Sequence, residues 1–391
     1  MEVVDVAIIG GAVTGSSVAC QLAQRSDFSG RIVVIESDPR YEICASARSA
    51  ASIRQQFSSA ANIEISLFGI EFLRSIGERL EVNGEKPVID LHEGGYLFLA
   101  TPDKRDILDE NHYLQQSLGA DIALLDQPQL ASTFPWLNAE DISAGCYGLS
   151  GEGWFDGYGL MQAFRKKARS LDVDYISAKA TDVTQSGPGW IIQLDNGEAV
   201  SAGVLVNAAG ASGGAQICQS AGLTFPIHSK KRFVFTFECR DTLERFPLLI
   251  DPNGTYVRPE GTGYLCGCSP EPENDPDCDD FEVDYTFFEE HIWPTIATRV
   301  PAFEAIKPGA AWAGSYDMNL FDHNAFVGRV SGVENFFLAL GFSGHGLQQA
   351  PAVGRGLAEL ITTGAYETLD LSSLSPDRLA ANRPIIERNV V

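Results

Sequence analysis

The chain has 391 residues, long for one compact core, so two domains sharing a cavity are expected. Its 28 Lys and Arg against 52 Asp and Glu give a formal net charge of −24, which would repel a phosphate backbone and argues against nucleic acid or anionic membranes as partners. With 45% hydrophobic residues and no apolar run long enough to span a bilayer, the composition is that of a globular protein with no integral membrane segment.

The first element is read from "VDVAIIGGAVTGSSVACQLAQ". Val6 to Ile9 form a continuous apolar run, as a parallel strand buried on both faces requires. A glycine-rich turn follows, and a helix begins at about Thr14. Gly10 and Gly15 occupy the first and third positions of a G-x-G-x-x-G pattern, and Ala12 stands in the second beside Gly11. Phosphate binding there uses backbone N–H groups and the helix dipole, so one extra methyl group weakens the pattern more than the site. The next strand, Arg31 to Ile35, ends in Glu36, twenty-one residues after Gly15. An acidic group at that point accepts hydrogen bonds from ribose hydroxyls.

After Glu36 the strand–helix alternation stops early, unlike a self-contained nicotinamide domain. A helix is expected from about Ala60 to Leu80, a strand at "EGGYLFLA", a polar helix around 103–118, and a Pro-punctuated connector at "QPQLASTFPWL". A helix at about 157–171 precedes strand, strand, hairpin and strand, with Asp195-Asn196-Gly197 as the turn. Residues 220–320 read as strand-rich and include the acidic loop "PEPENDPDCDD". The end, "NFFLALGFSGHGLQQAPAVGRGLAELI", is again strand, glycine turn and helix. The cofactor half is therefore expected from three pieces, 1–85, 150–215 and 325–391, with 86–149 and 216–324 forming the substrate half.

The eight cysteines form no C-x-x-C pair, so neither a metal site nor a disulfide framework is expected, and Cys266-Gly-Cys268 reads as strand. With the first strand starting at about Val3, no leader segment is expected, which implies a reducing, cytoplasmic location.

These residues together resemble, over nearly the full length, the D-amino-acid oxidase and monomeric sarcosine oxidase family of FAD enzymes. The likeness is carried by Gly10 to Gly15, Glu36, "VNAAG" (Val206 to Gly210) and "GFSGHG" (Gly341 to Gly346). It implies an α/β fold, in which a Rossmann-like FAD-binding domain of the glutathione-reductase type is interleaved with a strand-rich, mixed-sheet substrate domain. The cofactor contacts it implies are Gly10, Gly11, Ala12, Val13, Thr14, Gly15, Glu36 and Ser37. Ser46, Arg48, Ser49, Ala50, Ala51, Val183, Ala209 and Gly210 follow, with Gly341, Ser343, Gly344, His345, Gly346, Leu347 and Gln348 at the last turn. The tail, "WPTIATRVPAFE" and "SIRQQFS" most resemble a branch of the family that acts as an assembly factor for mitochondrial respiratory complex I. That likeness supplies a second function class, a low-turnover assembly or binding flavoprotein.

The resemblance implies hydride transfer from the carbon next to an amine nitrogen, with non-covalent FAD as acceptor and a small amine or amino acid as substrate. Family tyrosines over the flavin correspond to Tyr256 and Tyr316, although tyrosine is also common core filling. His345 stands where a helix N-terminus would stabilise reduced flavin, by its ring or by its backbone alone. Carboxylate-binding residues of relatives correspond to Tyr316 and Gln348, so the carboxylate needs another cation: Arg54, Arg232 or Arg258. The lysine with which sarcosine oxidase activates oxygen corresponds to Leu265, which favours a dehydrogenase whose acceptor is a quinone or carrier protein, with oxygen slow. Positions of covalent flavin attachment correspond to Gly314 and a residue near Ser49, which cannot form the link.

Overall fold

The computed structural model describes residues 1–388. Strand Glu2–Ile9 lies between Ile32–Glu36 and Ala199–Asn207, parallel to both. Asp174–Ser177 extends one side and Phe336–Leu340 the other, again parallel. Phe326–Arg329 and the hairpin Ala180–Ser186 with Gly189–Leu194 complete eight strands. Val6 and Ile8 pack with Val18 and Leu22 of helix Val13–Ala23, while Ala7 and Ile9 pack with Trp190 and Ile217 on the opposite face. Both faces are covered, which is why the strand is apolar throughout instead of alternating. The strands come from 2–36, 174–207 and 326–340, so three separated stretches of chain build one sheet.

The second sheet also has eight strands, in the order Ile306–Asn319, Ile227–Cys239, Gly263–Gly267, Tyr256–Glu260, Leu248–Ile250, Tyr96–Ala100, Ala144–Gly148, Ile122–Asp126. Only the Leu248–Ile250 and Tyr96–Ala100 pair is parallel. One face buries Leu97, Phe235, Phe237, Val257 and Tyr264. The other face carries Tyr96, Phe98, Ile250 and Tyr256. Alternation along a strand thus separates a packed face from one that looks toward the first sheet's helices.

Three local expectations change. The Pro-punctuated connector contains a helix, Gln127–Thr133, started by a reciprocal capping box between Asp126 and Gln129. Pro128 falls in its first turn, where the missing N–H costs nothing. The helix expected to reach Leu80 divides at Ser75 into Ala60–Arg74 and Ile76–Arg79. Within the strand-rich region, Tyr285 to Arg299 is helical. No helix among the described residues is long and apolar enough to cross a membrane.

Candidate cofactor and substrate site

The carboxyl ends of the three central strands meet at Gly10. Its N–H donates to Ile35 O (2.9 Å), and Ala208 N–H donates to Ile9 O (2.8 Å). Gly10 has φ +96°, and a Cβ there would lie 2.3 Å from Ala208 O, which brings Ala209 and Gly210 to the first loop. Gly15 is packed as tightly, since its Cβ would meet Gly10 O at 1.8 Å. Ala12 has an ordinary φ of −68° immediately before the helix, so the missing second glycine is accommodated.

Helix Val13–Ala23 starts with no side-chain cap and no acidic residue in its first turn, which holds the buried Thr14. Val13 N–H donates to Ser46 Oγ (3.3 Å), placing Ser46 at the loop. Glu36 accepts from Gly11 N and Asp38 N, both at 2.7 Å, with the Ser37 hydroxyl at 3.4 Å. Burial pushes its carboxyl pKa up despite these bonds. An uncapped helix N-terminus beside a buried carboxylate at a strand end fits the pyrophosphate and ribose of a dinucleotide. Val183 lies in the core with Ile35 and Trp190, so any contact from it would be through its backbone.

A second uncapped helix, Gly346–Thr363, opens from the turn Gly341 to His345 and also lacks an acidic residue in its first turn. Asp317 shapes that turn: Oδ2 accepts from Gly341 N (2.8 Å) and its carbonyl accepts from Ser343 N (3.1 Å). Burial raises the Asp317 pKa to about 6. Gly344 has φ +91°, and a Cβ there would come 2.5 Å from the Tyr316 ring. The two uncapped helices cross where Ser17 Oγ donates to Ala350 O (2.7 Å) and a Cβ on Gly354 would meet Ser17 Oγ at 2.2 Å.

Beside this turn, Arg54, Tyr256, Tyr316, His345 and Gln348 line one cavity. Ser49, Ala50, Ala51, Gly344 and Leu347 contribute to its wall. Arg54 is 3% exposed. Its guanidinium donates to Gln56 O (2.8 Å), lies 3.3 Å from His345 Nε2, and sits over the rings of Phe57 (4.2 Å) and Phe98 (5.1 Å). Its backbone N–H donates to Gln348 Oε1 (3.0 Å). Burial and the Arg54 cation hold the His345 pKa well below the usual range. The ring is therefore neutral, and with Arg54 donating to Nε2 the proton resides on Nδ1. Burial raises Tyr316 and Tyr256 above the ordinary phenol range, so both keep their hydroxyl protons.

The other candidate arginines, Arg258 and Arg232, and the expected cofactor contact Arg48 also have partners. Arg258 shares a strand face with Tyr256 but donates to Ala50 O (2.7 Å) and Pro259 O (2.8 Å) and pairs with Glu260. Arg232, 7% exposed, makes a two-pronged pair with Asp275 (2.7 and 2.8 Å) and lies 5.4 Å from the Tyr316 ring centre. Arg48 donates to Glu42 O (2.8 Å) and Ala313 O (2.9 Å) and lies 4.2 Å from the Phe281 ring centre. Gly314 backs onto Arg48, and Leu265, 2% exposed, pairs with Arg258. All eight cysteines are free thiols.

Five residues of the candidate site escaped the sequence reading, among them Ser52, which lines the cavity. Tyr96, Leu248 and Ile250 line the cavity, and burial raises Tyr96 to about 12. Glu152 is 0% exposed and accepts from Gln55 N (2.6 Å), Gln56 N (3.1 Å) and Gln56 Nε2 (2.8 Å). Burial raises it to about 7. A lone glutamate between glycines in "SGEGW" carries no periodic signal, so only the fold reveals it.

Known proteins are similar to this chain in sequence and in fold. FAD-dependent oxidoreductase domain-containing protein 1 of Xenopus laevis is 42% identical, covering 100% of this chain and 85% of the relative. The Bos taurus protein of the same name is 40% identical over 94% of this chain and 83% of its own length. L-proline dehydrogenase from P. horikoshii shares the fold, with a TM-score of 0.86 at 24% identity, covering 98% of this chain and 100% of that one. Glycine oxidase from Geobacillus kaustophilus does so with a TM-score of 0.82 at 22% identity, covering 96% and 98%. Residues 5–360 match the family described as FAD dependent oxidoreductase, and the chain, with FAD as its cofactor, belongs to that family.

Proposed function

We propose that the protein is a dehydrogenase acting on the C–N bond of a secondary amine or an N-substituted or D-amino acid. The observation that carries this reading is the cavity, which joins a buried guanidinium, three protonated tyrosines and a neutral histidine beside the uncapped N-terminus of Gly346–Thr363. FAD, held by the Gly10–Gly15 loop, Glu36 and the 344–348 turn, supplies a two-electron acceptor for the hydride leaving the carbon next to nitrogen. The reading assigns 1–85, 150–215 and 325–391 to the cofactor half and 86–149 and 216–324 to the substrate half.

Arg54 offers a planar fork of donors suited to a carboxylate. Among the described residues no acidic side chain lines the cavity, so a protonated amine would enter without a partner from them, and the neutral amine is the form that binds. The hydroxyls of Tyr256 and Tyr316 donate to that amine or to the carboxylate and orient the reacting C–H bond, while the Tyr96 hydroxyl donates to Ser52 Oγ (2.5 Å) and shapes the wall. Neutral His345 packs against Phe57 edge to face and closes the Arg54 end against water. The imine product is hydrolysed by water after release. Leu265 places no cation on the substrate sheet at its position, which supports a quinone or carrier protein as electron acceptor, with oxygen slow.

The test is anaerobic mixing of the yellow holoprotein with a panel of amines and amino acids, followed by a dye acceptor. One class should bleach the flavin, with a rate that rises as pH passes the substrate's amine pKa. If no amine bleaches it while a stable protein complex copurifies, the chain is an assembly or binding flavoprotein instead.

A further inference from the structure

We infer that Glu152, which has no place in the reaction just described, is the positioning residue for the anion-binding end of the cavity. The inference rests on the reading of Arg54 as the carboxylate clamp. A two-residue ladder pairs Ser52 with Trp154 and Ile53 with Gly153, so the next residues to face one another are Arg54 and Glu152. The ladder stops there. In place of further strand bonds, the Glu152 carboxylate takes the peptide N–H groups of Gln55 (2.6 Å) and Gln56 (3.1 Å) and the Gln56 side-chain amide (2.8 Å). The Gln56 carbonyl then accepts from Arg54 Nη1 at 2.8 Å. The guanidinium is thus tied to the same turn that Glu152 holds.

Packing reserves a place for this carboxylate. A Cβ on Gly148 would lie 2.0 Å from Glu152 Oε2, so a side chain there would displace it. Burial raises the Glu152 pKa to about 7, against the hydrogen bonds and the Arg54 charge, which lower it. Enclosing a carboxylate is costly, and a glutamine of equal size would avoid much of that cost. What glutamine lacks is acceptance on both atoms: one of the three donors would face an NH2 group.

Two effects of the charge oppose each other, which makes the sign decisive. Near Arg54, a negative group weakens attraction for an incoming anion, so neutralising it would tighten binding if the turn stayed in place. If Glu152 positions the turn, neutralising it loosens Arg54 and weakens binding. Acetate is titrated into wild-type, Glu152→Gln and Gly148→Ala holoprotein, following the flavin absorbance change, with flavin content and melting temperature measured in parallel. Gly148→Ala displaces the carboxylate but keeps its charge. Both variants should bind acetate at least tenfold more weakly per folded, flavin-loaded molecule. Unchanged or tighter binding in Glu152→Gln overturns the inference, even if its melting temperature falls, because that is the behaviour of a purely structural residue. Should Glu152→Gln not fold, Gly148→Ala decides by the same criterion. Arg54→Gln is the control: if it binds acetate like wild type, the clamp reading itself fails. Loss of binding in Arg54→Gln alone leaves the clamp and removes Glu152.

Discussion

Replacing Arg54 with glutamine should separate recognition from folding. The guanidinium is 3% exposed, so a substrate carboxylate paired with it is largely out of water. Removing one partner of such a pair costs on the order of 2 to 5 kcal/mol, roughly thirtyfold to several thousandfold in affinity. Stability loses about 1 kcal/mol for the bond to Gln56 O and about 0.5 to 2 kcal/mol for the contacts over Phe57 and Phe98. Removing a buried cation whose pKa burial already lowers offsets part of that loss. Binding of a carboxylate should therefore fall by at least as much as stability. Arg54→Lys keeps the charge without the fork and should lie between. Anaerobic stopped-flow reduction gives the substrate dissociation constant and the reduction rate separately. The variant should show a raised dissociation constant for carboxylate substrates and little change for the corresponding amine without a carboxylate. Equal affinities of wild type and Arg54→Gln for a carboxylate substrate would refute the reasoning. Arg258→Ala, which loses the bond to Ala50 O, should lower stability with little effect on that constant.

Acid or heat should release FAD into the supernatant, because Gly314 and Ser49 cannot form the covalent link; colour left in the pellet would count against this. Glu36→Lys should weaken FAD binding by placing a cation where an acceptor meets ribose, as measured by equilibrium dialysis of the stripped protein. Leu265→Lys should speed reoxidation of the reduced enzyme by air, and a wild-type oxygen rate equal to its rate with a dye would defeat the dehydrogenase reading. Burial raises Glu152 from 4.5 to about 7, so the folded state binds this proton more tightly than the unfolded state. Its stabilising contribution is full below about 4.5 and is lost as pH rises through 7, on the order of 3 kcal/mol. Urea midpoints from pH 5 to 8 should therefore fall less steeply in Glu152→Gln than in wild type, and parallel slopes would exclude the effect.

The cofactor end was legible because it is local: a buried run, a turn and an acidic strand end lie within residues 4–36. In the proposed phosphate loop backbone amides would do the binding, and Ala12 has an ordinary φ there. The lining of the candidate cavity was only half legible, because Arg54, Arg232 and Arg258 look alike in sequence. Only partners brought together by the fold, His345 for Arg54, Asp275 for Arg232 and Ala50 for Arg258, distinguish them. The helix at Gln127–Thr133 was hidden by Pro128, which the connector reading weighed above the Asp126 and Gln129 cap. The helical stretch from Tyr285 follows an acidic loop and carries Pro294 near a helix start, so neighbouring strand signals dominated it.

Three buried carboxylates show one arrangement of charge and backbone. Glu36 holds Gly11 N, Glu152 holds Gln55 N and Gln56 N, and Asp317 holds Gly341 N. Burial raises the pKa of all three, which marks the cost of keeping them inside. Each is fixed to a turn at the candidate site: the glycine loop, the Arg54 segment, and the opening of the last helix. A turn whose amides must face a ligand cannot satisfy all of them in regular structure. An acid from a neighbouring strand end or loop can take the amides on the protein side and leave the others aimed outward. Rigidity and open donors then come from the same residue, because a carboxylate accepts on both oxygens and donates nothing when ionised.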